Sequence, residues 1–347
     1  MKRGRGRDPS GPAGVEGYLA VLRPLLESAV ARRISEILAP LPWFDRPAVE
    51  LALEGGKKLR GSLLCLVCES LGGARGDALP RAVAVELIQA ASLIHDDILD
   101  ADRLRRGRPS VWALAGVRRA VLLGDVLFAT AIEAMSRLGP DEAAAVSRAI
   151  ARIAQGACSE PLEPVSLADA LEGGSFGGDA YERILHLKTG VLFGVACRLG
   201  AGAAGADHRL RSQAERYGTY IGEAYQIADD LEDLARLLDN DIIDPGRASP
   251  LAPALAASVP EGRARVVELL RGVPLGQTEI RRLRTAAAAG LEEALAKRLD
   301  RAERALAHGV PAEARTRLRQ APRHLIRLFR EGESSPVARS PGPPRPR

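Results

Sequence analysis

Residues 82–97, AVAVELIQAASLIHDD, form a segment that is apolar around most of the circumference of an α-helix and ends in two aspartates. A second segment, HLKTGVLFGVACRLGAGAA at residues 186–204, has the same character. Helices that are apolar on nearly every side belong in the middle of a large bundle, where neighbouring helices cover them. The charged residues at their ends are therefore expected to face inward or toward the mouth of a cavity.

The rest of the chain also favours helices. Ala, Leu, Arg and Glu dominate, and no Asn-Gly or Asp-Gly pair stands between alternating apolar runs as in a β-hairpin. The sequence therefore predicts an all-α fold in a single large domain. The predicted helices cover residues 15–38, 58–71, 80–104, 120–138, 141–158, 179–199 and 208–238, with two or three more between residues 264 and 330.

The two ends of the chain differ from its body. Residues 1–14 and 333–347 are rich in Gly, Pro, Ser and Arg, which bury too little apolar surface to offset the entropy lost on ordering. We expect them to be disordered basic tails on either side of one domain at residues 15–332. Residues 1–12 and 334–347 each carry a net charge of +3, which leaves the body at −1 and indicates no nucleic-acid partner.

The sequence predicts neither a signal peptide nor a membrane-spanning helix. The basic N-terminus is not followed by an apolar region, and no run of about 18 apolar residues is uninterrupted. We therefore expect a cytoplasmic protein without membrane insertion. The single Cys-x-x-Cys pair, Cys65 and Cys68, lies in an apolar helical stretch with no second ligand pair, so a core position is favoured over a zinc or redox site.

Two aspartate clusters share the spacing Asp-Asp-x-x-Asp: Asp96, Asp97 and Asp100, and Asp229, Asp230 and Asp233. On a helix, like charges four residues apart lie on one face and destabilise it by roughly 0.2 to 0.5 kcal/mol per pair. Mg²⁺ can compensate, since it is typically held by one or two carboxylates together with substrate phosphates. One such cluster alone would favour a solvated acidic face, whereas two clusters, each ending a strongly apolar helix, favour a metal-bound diphosphate.

Basic residues accompany the aspartates. Arg105 and Arg106 follow the first cluster, and a guanidinium group binds phosphate oxygens bidentately. A second set, GGKKLRG at residues 55–61, places Lys57 and Arg60 after a Gly-Gly turn at a predicted helix start. Its glycine spacing does not fit a P-loop, so nucleotide binding is disfavoured while a second phosphate site stays open.

Together these motifs resemble those of the trans-type prenyl diphosphate synthases. In chain order they are GGKKLRG, ELIQAASLIHDDILDADRLRRGRPS, GDVLFATA, LKTGVLF, YQIADDLED and a weaker DIIDPGRASPL, between residues 55 and 251. The resemblance implies a helical bundle around a deep central cavity, usually as a homodimer. It also implies a prenyltransferase that condenses isopentenyl diphosphate with an allylic diphosphate, head to tail, into a trans-prenyl diphosphate.

The resemblance implies a metal site on the allylic diphosphate, with three Mg²⁺ ions, or Mn²⁺ in their place. Its ligands would be Asp96, Asp100 and Asp229. Further ligands, or hydrogen-bonding partners of the ligands, would be Asp97, Asp230 and Asp233. The cations that hold the same diphosphate would be Arg105 and Lys188.

The resemblance implies a separate site for the diphosphate of isopentenyl diphosphate, the acceptor. The residues that bind it would be Lys57, Arg60, Gln89 and Arg106. Thr189 and Gln226 would turn oxygen dipoles toward the allylic cation that forms when the carbon–oxygen bond ionises. The metal ions and cations would stabilise the departing diphosphate, which then removes the proton.

Two departures from the family pattern affect the loops. Gly61 stands where the family usually has proline, which predicts a more mobile loop. After Asp233 the family usually has a longer loop with two Gly-Lys pairs, whereas this chain has LARLLDNDIIDPGRASP, in which Arg247 can replace only one lysine. We expect this change to affect rate and lid closure more than substrate class.

The residues one helical turn before Asp96 predict the length of the product. Ala91 and Ser92 should line the cavity that receives the growing chain, and small side chains leave space where an aromatic ring would block it. The sequence therefore predicts a product of C20 or longer.

Two alternative functions remain. A class I terpene cyclase shares one aspartate-rich motif but normally pairs it with a metal triad of Asn or Asp, Ser or Thr, and Glu. A noncatalytic or partner-dependent subunit of a prenyl diphosphate synthase typically lacks one aspartate cluster. Both clusters are intact in this chain, which favours the synthase.

Overall fold

The computed structural model describes residues 14–159, 164–174, 178–238, 251–258, 263–306 and 310–333. Helices contain 84% of these residues, which confirms the all-α prediction. The predicted basic tails lie outside the described residues except at their inner ends, and so does Arg247.

The helices of the first half are α1 (Gly14–Leu38), α2 (Arg46–Leu53), α3 (Leu59–Ser70), α4 (Arg75–Leu99), α5 (Val111–Ala115), α6 (Val117–Ser136) and α7 (Pro140–Ser159). Those of the second half are α8 (Pro164–Glu172), α9 (Gly178–Ile184), α10 (Val191–Ala203), α11 (His208–Leu238), α12 (Ala252–Ser258), α13 (Arg263–Leu270), α14 (Gln277–Ala305) and α15 (Ala312–Glu333). A π-helical turn, Leu185–Gly190, joins α9 to α10.

Helix α4 ends five residues earlier than predicted, because the chain closes it with a Schellman motif. The amide of Ala101 donates to the carbonyl of Ile98 (3.2 Å), and that of Asp102 donates to the carbonyl of Asp97 (2.8 Å). Ala101 adopts the left-handed conformation that this motif requires, with a φ of 56°. The chain therefore leaves the helix directly after the first aspartate cluster.

A short β-hairpin follows α4 and was not predicted. Strand β1 (Leu104–Arg105) pairs antiparallel with β2 (Arg108–Pro109), and Arg106 and Gly107 form the two-residue turn. Both turn residues have positive φ values, as a type I′ turn requires. The guanidinium group of Arg108 anchors the hairpin to α2 by donating to the carbonyl of Leu51 (2.9 Å).

The buried apolar residues form two clusters. The first lies among α1 to α7, α10, the beginning of α11, the end of α14 and α15, and the second among α8, α9, the end of α11 and helices α12 to α15. Tyr225 of α11 packs against both clusters. The second half of α11, which carries the second aspartate cluster, therefore begins at the junction of the two cores.

The apolar segments singled out in the sequence lie inside the bundle. The helical stretch Ala180–Ala203 is long and apolar enough to cross a membrane, but 72% of its most apolar window is buried within the fold. Such burial is typical of the central helix of a bundle.

Cys65 and Cys68 of α3 are also buried, as predicted, and burial raises the pKa of the Cys65 thiol to about 12.

Close packing of α10 against α3 requires glycine at position 200. A Cβ atom at Gly200 would overlap the carbonyl oxygen of Leu64, whereas one at Gly76, near the start of α4, would meet no atom within 4 Å. We therefore expect Gly200→Ala to lower the free energy of unfolding by about 1 to 3 kcal/mol. Gly76→Ala should leave it unchanged or raise it by about 1 kcal/mol. Urea denaturation of both variants measures the difference, and equal stabilities would contradict this account.

Candidate active site

The first aspartate cluster lies at the end of α4, and its middle member is bound by the hairpin. Asp97 is 3% exposed and accepts a hydrogen bond from Nε of Arg105. Burial raises the pKa of Asp97, and the positive charge of Arg105 opposes that shift. The outer members differ, since Asp96 is half-buried and Asp100 is exposed.

The second cluster, on α11, repeats this arrangement. Asp230 is 9% exposed and accepts hydrogen bonds from the hydroxyl of Tyr181 (2.6 Å) and from Nε2 of Gln226 (3.0 Å). Burial raises the pKa of Asp230 to about 6, although both bonds and the charge of Lys188 oppose the rise. The outer members, Asp229 and Asp233, are half-buried. In both clusters the middle carboxylate is held inside the protein and the outer ones reach solvent.

The outer carboxylates have the chemistry of a site for a hard cation. Each pair stands four residues apart on one helix face, and carboxylate oxygens are the donors that Mg²⁺ prefers. Within the described ranges, no group of three or more His, Cys, Asp or Glu side chains is close enough to form a metal site by itself. Further oxygen ligands, such as those of a bound diphosphate, would have to complete the coordination.

The π-helical turn places two of the predicted residues beside the second cluster. The hydroxyl of Thr189 donates to Oε1 of Gln226 (2.7 Å), and Nε2 of Gln226 donates to Asp230. Lys188 is close enough for its charge to lower the pKa of Asp230. Lys188 and Thr189 of the π-helical turn thus lie beside Gln226 and Asp230 of α11.

The basic set at residues 55–61 lies along a row of three aromatic rings, Phe193, Tyr225 and Phe329. The guanidinium carbon of Arg60 lies 4.5 Å from the ring centre of Phe193, and Nζ of Lys57 lies 4.5 Å from that of Phe329. Nζ of Lys57 also donates to the carbonyl of Phe329 (2.6 Å). Tyr225 stands between the other two rings, with ring centres 5.8 and 4.5 Å away.

Arg106 joins this basic set from the turn of the hairpin. Its guanidinium group covers Gly56, since a Cβ atom there would lie 2.7 Å from Nη2. Burial lowers the pKa of Arg106, and the charge of Arg105 adds to that effect. Adjacent arginines therefore point to different places: Arg105 binds the first aspartate cluster, and Arg106 joins the cations of residues 55–61.

Backbone strain is concentrated around this site. Among the described residues other than glycine, positive φ values occur at Lys58 (47°), Ala101 (56°) and Arg106 (54°). Each costs free energy that the surrounding structure must supply, and such residues cluster at functional sites. Lys58 and Arg106 lie among the cations of the basic set, and Ala101 directly follows the first aspartate cluster.

The remaining predicted residues occupy α3 and α4. Gln89 lies half-buried on α4, whereas Ala91 (0% exposed) and Ser92 (9%) are buried. The hydroxyl of Ser92 has no hydrogen-bond partner among the described residues. The expectation of a mobile loop at Gly61 was wrong, because Gly61 lies buried in the first turn of α3.

Several residues at the site were missed in the sequence. They are Glu86, Tyr181, Phe193, Tyr225 and Phe329. Glu86 had a visible signal, since it is the only charged residue within the apolar run at residues 82–94. Phe193 and Tyr225 lie within the motifs LKTGVLF and YQIADDLED but were given no role, because a ring at helical spacing looks the same in a core as beside a binding site. Tyr181 and Phe329 lie outside the quoted motifs.

Comparison with known proteins identifies the family of the chain. Residues 41–269 match the Polyprenyl synthetase family. Geranylgeranyl diphosphate synthase of Mycobacterium tuberculosis is 38% identical over 229 residues, which span 64% of this chain and 64% of that protein. Short chain isoprenyl diphosphate synthase of Methanothermobacter thermautotrophicus is 36% identical over 233 residues, 65% of this chain and 71% of that protein.

A solved structure extends the similarity to most of the fold. Polyprenyl synthase from Caulobacter crescentus, complexed with calcium and isoprenyl diphosphate, aligns with a TM-score of 0.70 at 26% identity. The alignment covers 91% of this chain and 98% of that one. The matched motifs, the helical architecture and the family match agree, and the chain therefore belongs to the polyprenyl synthetase family.

Proposed function

We propose that the protein is a trans-prenyl diphosphate synthase that condenses isopentenyl diphosphate with an allylic diphosphate. The divergence of Arg105 and Arg106 is the main support for this proposal: Arg105 binds Asp97 and Arg106 lies over Gly56, as expected if two anion sites lie side by side. One contains the aspartate clusters and suits an allylic diphosphate bound through metal ions. The other is rich in cations, Lys57, Arg60 and Arg106, and suits the diphosphate of the acceptor. A cyclase needs one diphosphate site, so the second favours a synthase.

Metal ions belong to the first of these sites. The outer carboxylates Asp96, Asp100, Asp229 and Asp233 fit Mg²⁺ or Mn²⁺ by their oxygen donors and exposure. Asp97 and Asp230 would hold the two clusters in place through Arg105 and Tyr181. Calcium in the Caulobacter crescentus protein supports a divalent cation in this fold. When bound, the ions would neutralise the charge that develops on the leaving diphosphate.

The chain's own residues would then direct the condensation. Lys188 and Arg105 supply positive charge to the allylic diphosphate as its carbon–oxygen bond breaks, and the oxygens of Thr189 and Gln226 face the resulting cation. The double bond of the acceptor attacks that cation and forms the new carbon–carbon bond. The released diphosphate accepts the proton that leaves, so no protein side chain is needed as the base. The product keeps the diphosphate of the acceptor.

The test is an elongation assay with the full chain. Isopentenyl diphosphate is supplied with Mg²⁺ and with dimethylallyl, geranyl or farnesyl diphosphate, and the dephosphorylated products are separated by length. We expect elongation with at least one of these primers. No elongation with any of them would reject the synthase and favour a noncatalytic or partner-dependent subunit. A cyclic hydrocarbon formed from the allylic substrate alone would favour a cyclase.

A substitution at Ala91 tests the proposed length of the product. Ala91 is buried on α4 one turn before Asp96, which supports a position on the wall of the tail cavity and a product of C20 or longer. We expect Ala91→Phe to shorten the product, because the ring would occupy space that the growing chain needs. Product analysis measures the change, with Ala151→Phe on the exposed face of α7 as the control. A folded Ala91→Phe protein with unchanged products would remove Ala91 from the wall.

A homodimer is part of the proposal, and helix α6 offers a surface for it. Val117, Val121, Leu122 and Val126 are between 36% and 59% exposed along this helix. Contiguous exposed apolar residues typically mark protein–protein contacts. We infer that a second copy of the chain covers this face, and that the protein acts as a cytoplasmic dimer.

A further inference from the structure

A buried carboxylate stands behind the cations of the acceptor site. Glu86 of α4 is 6% exposed, and its Oε1 accepts a hydrogen bond from the backbone amide of Gly61 (2.8 Å). Gly61 follows Arg60 directly in the first turn of α3. A Cβ atom at position 61 would lie 3.2 Å from Cγ of Glu86 and 2.7 Å from Leu26, so glycine permits this close approach. Glu86 is thus fixed against the helix turn that presents Arg60.

The charge of Glu86 acts on three separate cations. Burial lowers the pKa of Lys58, Arg60 and Arg106, and in each case Glu86 opposes the shift. These cations come from three places in the fold: the turn before α3, α3 itself, and the hairpin. A single buried carboxylate therefore helps to keep all of them charged and close together.

We propose that Glu86 is a positioning residue that sets the net charge of the acceptor site and so limits how tightly the site holds a diphosphate. This inference rests on the proposed function. Lys57, Arg60 and Arg106 of this site, together with Lys58 beside them in the turn before α3, carry four positive charges, and Glu86 reduces the sum to three. A fully ionised diphosphate monoester is a trianion, so the site with Glu86 matches its ligand in charge.

The net charge of the site affects the rate of product release, because the product of the proposed reaction keeps the acceptor's diphosphate. That diphosphate must leave the cationic site before another acceptor can bind. A site with one more positive charge would bind the acceptor more tightly and release the product more slowly. Glu86 therefore weakens binding of the acceptor and speeds release of the product.

The test measures binding of isopentenyl diphosphate by calorimetry in the presence of a chelator, so that the metal-dependent allylic site does not contribute. Glu86→Gln keeps an oxygen that can accept the Gly61 hydrogen bond but removes the charge. We expect its dissociation constant to fall about threefold to tenfold, less at high salt, because partly buried charges interact strongly at short range and salt screens them. In steady state its KM for isopentenyl diphosphate and its kcat should both fall, with the allylic KM unchanged.

Two further variants separate charge from structure. Glu86→Asp keeps the charge and shortens the side chain, so binding should not tighten. Glu69→Gln alters a carboxylate of α3 that pairs with Arg75, outside the site, and should bind as the wild type does. If Glu86→Gln binds no more tightly than a wild-type protein that does bind, the inference is wrong. If the wild type binds no isopentenyl diphosphate, the acceptor site itself is rejected and the inference with it.

Discussion

Asp96→Ala and Asp229→Ala are each expected to reduce turnover by about a thousandfold or more while leaving the fold intact. Both residues are outer members of their clusters and reach solvent, where a metal-bound diphosphate would sit. Each 1.4 kcal/mol of lost transition-state stabilisation lowers the rate by about tenfold, and metal ions supply several kcal/mol at a developing charge. Steady-state kinetics with isopentenyl diphosphate and the preferred primer measure the loss.

A thermal-shift measurement separates metal binding from catalysis. Without metal, the two variants should unfold at or slightly above the wild-type temperature, since removal of a like charge relieves repulsion on the helix face. Mg²⁺ with inorganic diphosphate should stabilise the wild type and not the variants. Asp141→Ala, at the exposed start of α7, is the control and should retain both activity and the ligand-induced shift. Near-normal turnover in either cluster variant would contradict the metal assignment.

Arg298→Met is expected to cost about 3 to 5 kcal/mol of stability, the range found when one partner of a buried ion pair is removed. Arg298 of α14 is 4% exposed, and its Nε donates to Oε2 of Glu223 (2.6 Å), which is 7% exposed. A second nitrogen of Arg298 binds Glu182 of α9. Without the arginine, Glu223 would be a buried charge whose remaining partner is His186, with its Nδ1 at 3.4 Å.

Urea denaturation tests this expectation. Arg323→Met is the control, because Arg323 pairs with Asp300 and Glu303 at the surface, where an ion pair contributes about 1 kcal/mol or less. Replacing both partners, Arg298→Met with Glu223→Met, should recover most of the lost stability, since neither charge is then left buried alone. A loss below about 1 kcal/mol for Arg298→Met alone would show that Glu223 does not depend on it.

The sequence predicted the long central helices well, because their apolar periodicity reports burial directly. Helix α11 covers the predicted range, residues 208–238, and α1 and α7 begin and end within one residue of their predicted bounds. The shorter helices α2, α5, α8 and α12 were missed. They have between five and nine residues, which is too few for a periodic pattern to distinguish them from loops.

The turns around the site were missed because their residues are not the usual ones. Glycine or asparagine normally marks a left-handed helix end or the first position of a type I′ turn, whereas this chain uses Ala101 and Arg106. Tertiary contacts hold the second of these, since the guanidinium group of Arg106 packs over Gly56. Contacts between distant segments leave no local signal, so the sequence could not place these turns.

Within the site, the sequence predicted the separation of the two arginines but not which aspartates are buried. Thr189 and Gln226 lie together as expected, and Arg105 and Arg106 separate as expected. The distinction between middle and outer aspartates depends on Tyr181 and on the path of the hairpin, which spacing alone does not reveal. The contact of Lys57 with Phe329, 272 positions later, likewise could not be predicted from a local sequence pattern.

The π-helical turn at Leu185–Gly190 makes this part of the chain intolerant of changes in length. A π-helical turn holds one residue more than an α-helical one, and each residue of an α-helix turns the chain by about 100°. Deleting a single residue between α9 and α10 would convert the turn to a regular helix and rotate Lys188 and Thr189 away from Gln226, while the apolar faces of both helices could remain buried. We therefore expect substitutions at the turn positions without a role at the site to be tolerated better than any insertion or deletion in this segment.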